Sequence, residues 1–203
     1  MTQLGCDGWL PEGGSNVLAV EGCKAIVECI NKCVDQRPTH IALAVGTGAT
    51  MAGVINASAT GQLITGVPVV QDDRLRNQIS GWLSPHSGVN WQLLETASPA
   101  RYGKTDSALL EFVLTVYKTT GMILDPVYNA KALRALVDSE TADSGSPDRE
   151  KLQSAQSGSA DTIFIHTGGI GGCLGFADQL RSIDRRIADR MLIEVRQLLQ
   201  IHA

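Results

Sequence analysis

No stretch of this 203-residue chain is apolar for long enough to cross a bilayer as a helix, and the opening Met1-Thr2-Gln3 does not read as a signal peptide. No basic run occurs, and a formal net charge of −4 argues against nucleic acid as the main partner. Cysteines are few and lack a C-x-x-C pair: Cys6, Cys23, Cys29, Cys33 and Cys173 are odd in number, which implies a reducing compartment and no disulfide framework. Cys29 and Cys33 stand one helical turn apart beside apolar residues, without the further Cys or His that a metal would want. They read as core or half-buried thiols, and no metal site is expected. Tight hairpin signals and internal repeats are also missing. What these absences leave is a cytoplasmic globular protein, long enough for one domain with a substantial core and with neither nucleic acid nor membrane as partner.

What is present is an alternation of strand-like and helix-like segments. Strands are expected over Thr39–Val45, Leu63–Val70, Val89–Leu94 and Asp161–His166, as short apolar or β-branched runs. Trp9–Asn16 reads as a strand end and turn, with Ser15 or Asn16 placed to cap one helix over Val17–Val34. Further helices are expected over Thr50–Ala59, near Asp73–Trp82, over Asp106–Thr119 and over Lys131–Val137. A polar loop with a short surface helix follows over Asp138–Gly158, and a charged helical tail runs from Asp178 to His202. The alternation predicts an α/β fold: a three-layer open, mostly parallel sheet with helices on both faces.

Within that pattern, Gly46-Thr47-Gly48-Ala49-Thr50 stands where a strand empties into a helix. Free N–H groups and the dipole at a helix start favour an anion. Gly46 and Gly48 admit a ligand close to the backbone, while Thr47 and Thr50 add hydroxyl donors. No Lys follows the second glycine, so this is not a nucleotide-triphosphate loop, and Met51 stands where a dinucleotide fingerprint has its third glycine. On spacing alone, a Gly-rich turn that binds nothing stays open as an alternative. In an open parallel sheet, ligands gather at the carboxyl ends of the strands, and Gly46–Thr50, Asp125–Asn129 and His166–Gly169 all follow strands or extended pieces.

Five segments in order carry a resemblance: Pro11-Glu12-Gly13-Gly14-Ser15-Asn16, Gly46-Thr47-Gly48-Ala49-Thr50, Tyr102-Gly103-Lys104, Leu124-Asp125-Pro126-Val127-Tyr128-Asn129-Ala130-Lys131 and Ile165-His166-Thr167-Gly168-Gly169. Together they resemble the C-terminal part of the 1-aminocyclopropane-1-carboxylate deaminase / D-cysteine desulfhydrase family, pyridoxal-phosphate enzymes of the tryptophan-synthase β-type fold (fold type II). The resemblance runs to about Phe176. It implies a partial large cofactor-binding domain over 1–177 and a helical tail, 178–203, packed on it.

The resemblance also implies roles. Gly46, Thr47, Gly48, Ala49 and Thr50 would hold the phosphate of pyridoxal phosphate, Ala49 standing where the family commonly has Gly or Ser. Tyr128 and Tyr102 would be the catalytic tyrosines facing the substrate. Thr167 would lie near the cofactor ring, and His166 reads as a supporting or core histidine. Asn129 falls where deaminases of the family tend to carry an acid that pairs with the pyridine nitrogen. A neutral side chain there leans toward the desulfhydrase-like branch.

The family's Schiff-base lysine lies in a Gly-Asn-Lys context before the Pro-Glu-Gly-Gly-Ser-Asn segment, and this chain has only ten residues before Pro11. Of its lysines, Lys104 and Lys131 fall in family motifs, but neither matches that position. The expectation is therefore a C-terminal portion of a lyase or deaminase for a small amino acid, inactive alone, that self-associates or pairs with an N-terminal portion. The alternative is a non-catalytic module that binds a phosphorylated ligand or a partner protein.

Overall fold

Ile41-Ala42-Leu43-Ala44-Val45 is apolar at every position because both sides of its strand are covered. It forms β1 (His40–Val45), which pairs in parallel with β2 (Leu63–Pro68) and with β4 (Thr162–Ile165), while β2 pairs in parallel with β3 (Asn90–Leu93). The order across the sheet is β3-β2-β1-β4. The computed structural model describes residues 11–85, 88–94, 103, 105–142 and 162–200. Its parallel α/β architecture is the one the alternating pattern predicts.

The two-residue period of the strands divides β1 into two unlike faces. Ile41, Leu43 and Val45 face α1 (Val17–Cys23), α2 (Ala25–Cys33), α3 (Ala49–Ala57) and α4 (Leu75–Gly81), in a core with Ile64, Met51, Ile55 and Ile79. Ala44 faces the other way and, with Val67, meets Ala132 of α6 (Asn129–Ala142). Small residues on that face let α6 lie close to the sheet. Beyond α6, α5 (Ser107–Thr120) and α7 (Ala177–Leu198) bury Val113, Leu114, Leu180, Met191, Leu192 and Val195 between them. The Tyr117 hydroxyl on α5 donates to Glu194 Oε1 on α7 at 2.6 Å. Burial pushes the Tyr117 pKa up, and the adjacent Glu194 carboxylate adds to the shift.

Several boundaries differ from the sequence expectation. The helix predicted over Val17–Val34 is two helices meeting at Lys24, whose N–H turns back to the carbonyls of Glu21 and Gly22. Asn16, not Ser15, is the cap: its Oδ1 accepts from Ala19 N at 2.8 Å. The C-terminal tail is interrupted at Asp184, which has extended dihedrals (φ −145°, ψ 97°). Asp184 Oδ1 accepts from Ile187 N at 3.1 Å, so it restarts the helix as a cap does. Of the apolar residues on the tail, Met191 and Val195 are buried, but Ile193 and Leu198 face solvent. Helix α6 starts two residues earlier than expected and continues through 138–142, where a loop was predicted. The rest of the stretch expected to hold a loop and a short surface helix, 143–158, lies outside the described residues.

Candidate functional site

Two loops emerge side by side at the carboxyl edge of the sheet, one after β1 and one after β4, because those strands are neighbours in it. The β1 loop enters α3 through Gly48, whose φ of +93° is left-handed and suits glycine. A Cβ at Gly48 would stand 2.6 Å from Ile79 Cγ1, so the loop is seated on α4 by the absence of a side chain. No side chain of Gly48 caps α3, which leaves the first-turn N–H groups of the helix open to an anion. Ser15 Oγ lies 2.5 Å from Thr47 Oγ1, tying the Pro-Glu-Gly-Gly-Ser-Asn turn to the loop. Gly13 makes that approach possible, since a Cβ there would be 2.8 Å from Thr47 Oγ1. Ala49 is buried and Thr50 is partly exposed.

Tyr128 lies against this loop. A Cβ on Gly46 would sit 3.4 Å from Tyr128 Cε1 and 4.0 Å from its hydroxyl oxygen. The tyrosine is half-buried and is delivered by the turn that opens α6. That turn is organised by Asp125, which is almost fully buried. Its Oδ1 accepts from Val127 N at 3.1 Å and Tyr128 N at 2.7 Å; its Oδ2 accepts from Asn129 N at 3.0 Å and Asn129 Nδ2 at 2.6 Å. Four N–H donors thus converge on one carboxylate, satisfying the orphan donors of a helix start.

Asn129 extends the clamp to the β4 loop. Its Nδ2 also donates to Gly168 O at 2.8 Å, and its Oδ1 accepts from Thr167 N at 3.3 Å. Both amide hydrogens are therefore spent inside the protein, and the side chain is 1% exposed. Asn129, which the resemblance placed at the cofactor, fastens the start of α6 to Thr167 and Gly168 of the β4 loop. Thr167 itself is exposed.

His166 is a bracket of the same kind. Its Nε2 donates to Ile123 O at 2.8 Å and its Nδ1 accepts from Gly168 N at 3.1 Å, which puts the ring proton on Nε2. Cys173 closes the underside, with Sγ 3.4 Å from Leu124 O. Burial pushes its thiol up to about 12, with nearby Asp125 adding to the shift.

The structure thus brings Gly46–Thr50, Tyr128, Asn129 and Thr167 to one edge. Tyr102 and Lys104 lie outside the described residues. Sequence reasoning overlooked Asp125 as the organiser, although an Asp-Pro followed by three open N–H groups is the composition of an Asx-type turn. It also offered Ser15 only as one of two candidate helix caps and not as the partner of Thr47, a contact between residues 32 apart in the chain. No His, Cys, Asp and Glu cluster suited to a metal occurs among the described residues, and none of their helices is long and apolar enough to cross a membrane.

Comparison with known proteins gives a consistent set of relatives. The chain is 33% identical over 187 residues to the mitochondrial bifunctional D-cysteine desulfhydrase/1-aminocyclopropane-1-carboxylate deaminase of Arabidopsis thaliana, covering 86% of this chain and 44% of that protein. A putative 1-aminocyclopropane-1-carboxylate deaminase of Thermotoga maritima is 30% identical over 178 residues, covering 80% of this chain and 52% of the relative. A crystal structure described as that of an ACC deaminase homologue superposes with a TM-score of 0.65 at 25% identity, over 85% of this chain and 52% of the other. The chain spans about half the length of the curated relatives it matches. No model of a protein family matches it.

Proposed function

The chain is a homologue of the 1-aminocyclopropane-1-carboxylate deaminase / D-cysteine desulfhydrase enzymes across four-fifths of its length or more, and from that premise we propose that it is the C-terminal, cofactor-holding portion of such a lyase or deaminase. The observation that carries the reading is the packing of Tyr128 on Gly46, beside a helix start that no side chain of Gly48 caps and a Ser15–Thr47 hydroxyl pair. These residues fit an aromatic ring bearing a phosphate. Gly46–Thr50 hold the phosphate with backbone N–H groups and hydroxyls, and the Tyr128 ring borders the space above Gly46. Thr167 approaches from the β4 loop, fixed in place by Asn129 and Asp125.

Pyridoxal phosphate, when bound, supplies the electron sink for breaking bonds at the α-carbon of a small amino acid. The Tyr128 hydroxyl is the group of this chain that holds or moves a proton there, with Tyr102 as its second member. Residue 129 is an amide and not a carboxylate, and a neutral group there favours expulsion of a good leaving group over ring opening. The favoured reaction is elimination from a D-cysteine-like substrate to a 2-oxo acid, ammonia and sulfide. The family lysine would come from a Gly-Asn-Lys segment beyond these residues, in the same chain or in an associated one. Among the described residues β3 and β4 are the two edges of the sheet, both less buried than β1, and either edge offers such a segment a place to pair.

Equilibrium dialysis with deoxypyridoxine phosphate, which has the ring and phosphate without the aldehyde, tests the cradle. Binding is expected, and Thr47→Ala should weaken it about tenfold through the lost charge-assisted bond. Equal affinity for unphosphorylated deoxypyridoxine would overturn the reading.

A further inference from the structure

Three backbone polar atoms of the loop after β4 are held from inside the protein. Asn129 Nδ2 donates to Gly168 O at 2.8 Å, Asn129 Oδ1 accepts from Thr167 N at 3.3 Å, and His166 Nδ1 accepts from Gly168 N at 3.1 Å. The amide bonds of Asn129 are indifferent to pH, but the His166 bond is not. A carbonyl oxygen only accepts and a backbone N–H only donates, so Ile123 O at 2.8 Å and Gly168 N together demand a neutral ring protonated on Nε2. An imidazolium keeps the first bond and reverses the second, because its Nδ1–H then meets the Gly168 N–H, donor against donor. The ordinary titration of histidine falls between weakly acid and neutral pH, and His166 is half-buried and not sealed in the core. Nothing beside the ring takes up the extra proton. Asp125, on the turn before α6, lies 3.4 Å from where a Cβ of Gly169 would stand, but its two oxygens already accept four N–H groups. Lys131 of α6 feels the Asp125 charge and makes no bond to the ring. The Cys173 thiol, in the 3-10 turns over Ile170–Phe176, is spent on Leu124 O. On α5 and α7, Asp106, Glu194, Asp184 and Asp189 are each bonded elsewhere, to Leu109 N, the Tyr117 hydroxyl, Ile187 N and Arg181. Gly168 and Gly169, both at positive φ, give the loop room to turn once the bond is lost.

We propose that His166 is a positioning residue that sets the β4 loop for its ligand only as a neutral imidazole, so that acid releases Gly168 and with it Thr167. The proposal rests on the reading of this edge as the place of an aromatic ring bearing a phosphate. Gly46–Thr50 belong to the other loop and have no bond to His166. Protonation therefore weakens the hold on the ring and leaves the hold on the phosphate. The proton comes from solvent, and no covalent bond between heavier atoms forms or breaks.

Amide hydrogen exchange on the full chain, read by NMR at about pH 8 and about pH 5.5, tests the bracket directly. The internal standard is the Ala132 amide, which donates to Tyr128 O inside α6. Protection of Gly168 relative to Ala132 should fall about tenfold on acidification, as one bond is lost and two donors are opposed. His166→Asn places an acceptor near the position of Nδ1 and does not titrate, so Gly168 should stay protected at both pH values. His166→Gln places its amide near Nε2 and offers Gly168 no acceptor, so protection should be low at both. Equilibrium dialysis with deoxypyridoxine phosphate carries the result to the site. Its affinity should fall about tenfold more for the wild-type chain than for His166→Asn, a comparison that removes the ligand's own titration. Inorganic phosphate should show no such difference. A Gly168 amide whose relative protection ignores pH, or equal falls in affinity for the two chains, overturns the proposal and leaves the phosphate site standing. Failure of the wild-type chain to bind deoxypyridoxine phosphate or phosphate at about pH 8 overturns the site reading instead, and the Gly168 amide still decides the bracket.

Discussion

The loop after β1 and the turn before α6 sit on the same edge of the sheet, but they are specified in opposite ways. The β1 loop and its helix are shaped by missing atoms: Gly48 against Ile79, and Gly53 of α3 against Val20 O, where a Cβ would lie 2.5 Å away. The 125–129 turn is shaped by polar atoms present, with Asp125 gathering four donors and Asn129 fastening the result to the β4 loop. The first kind of design fails when a methyl is added, the second when a carboxylate is removed. The lesson concerns tolerance: the steric loop resists growth and the polar turn resists subtraction.

Removing the carboxylate tests the polar turn most severely. Asp125→Ala should cost about 4 kcal/mol, because several buried donors lose their acceptor and water satisfies them only in part. Urea unfolding measures it; a loss below about 1 kcal/mol would mean that the turn is held by packing and that the contrast is false.

Adding a methyl tests the other half. Gly53→Ala should cost about 3 kcal/mol, since the atoms in the way are a backbone carbonyl and Cys23 Cβ, 2.6 Å from the new carbon, and α1 must move as a unit. Gly22→Ala, inside α1 with nothing within 4 Å, should instead stabilise by about 0.5 kcal/mol. Similar losses at Gly22 and Gly53 would show that helix propensity, not steric fit, decides the region.

A smaller effect than either loss sharpens the comparison where the polar turn meets an unsatisfied group. Lys131→Met should stabilise the protein by about 1 kcal/mol at neutral pH, by replacing an unpaired buried amine with an apolar group of similar length. The pH dependence has a definite sign. The folded protein holds the Lys131 proton less tightly than the unfolded chain. Between the lowered folded value and the usual lysine value the unfolded state binds more protons, so stability rises with pH across that window. The Met variant should lack this rise, and parallel pH–stability curves for the two proteins would remove Lys131 as its source.

Much of the geometry at the candidate site was legible from residue types. Gly46–Thr50 follows an apolar run and opens a helix, and glycine spacing there carries information because backbone conformation and close approach are local properties. Tyr128 and Thr167 stood in recognisable segments. Asn129 was harder, because its amide chemistry could serve a ligand or the protein equally well. Only the arrival of Gly168 and Thr167 from a segment some 39 residues away committed it inward. Helix continuity misled for a related reason: the apolar period runs through Lys24 and Asp184, yet both positions turn the chain.

By itself, the order of residues determined the alternation of strands and helices, the parallel sheet, the glycine-lined loop and the family relationship. These depend on periodicity, turn chemistry and segment order, which are written along the chain. Tertiary structure decided that Asp125 is the hub, that Ser15 serves Thr47, and that the amine of Lys131 is buried without a partner. Each depends on which groups meet across long stretches of chain and on which lone pairs are already taken, and a buried polar atom's role is set by the partners that packing leaves to it.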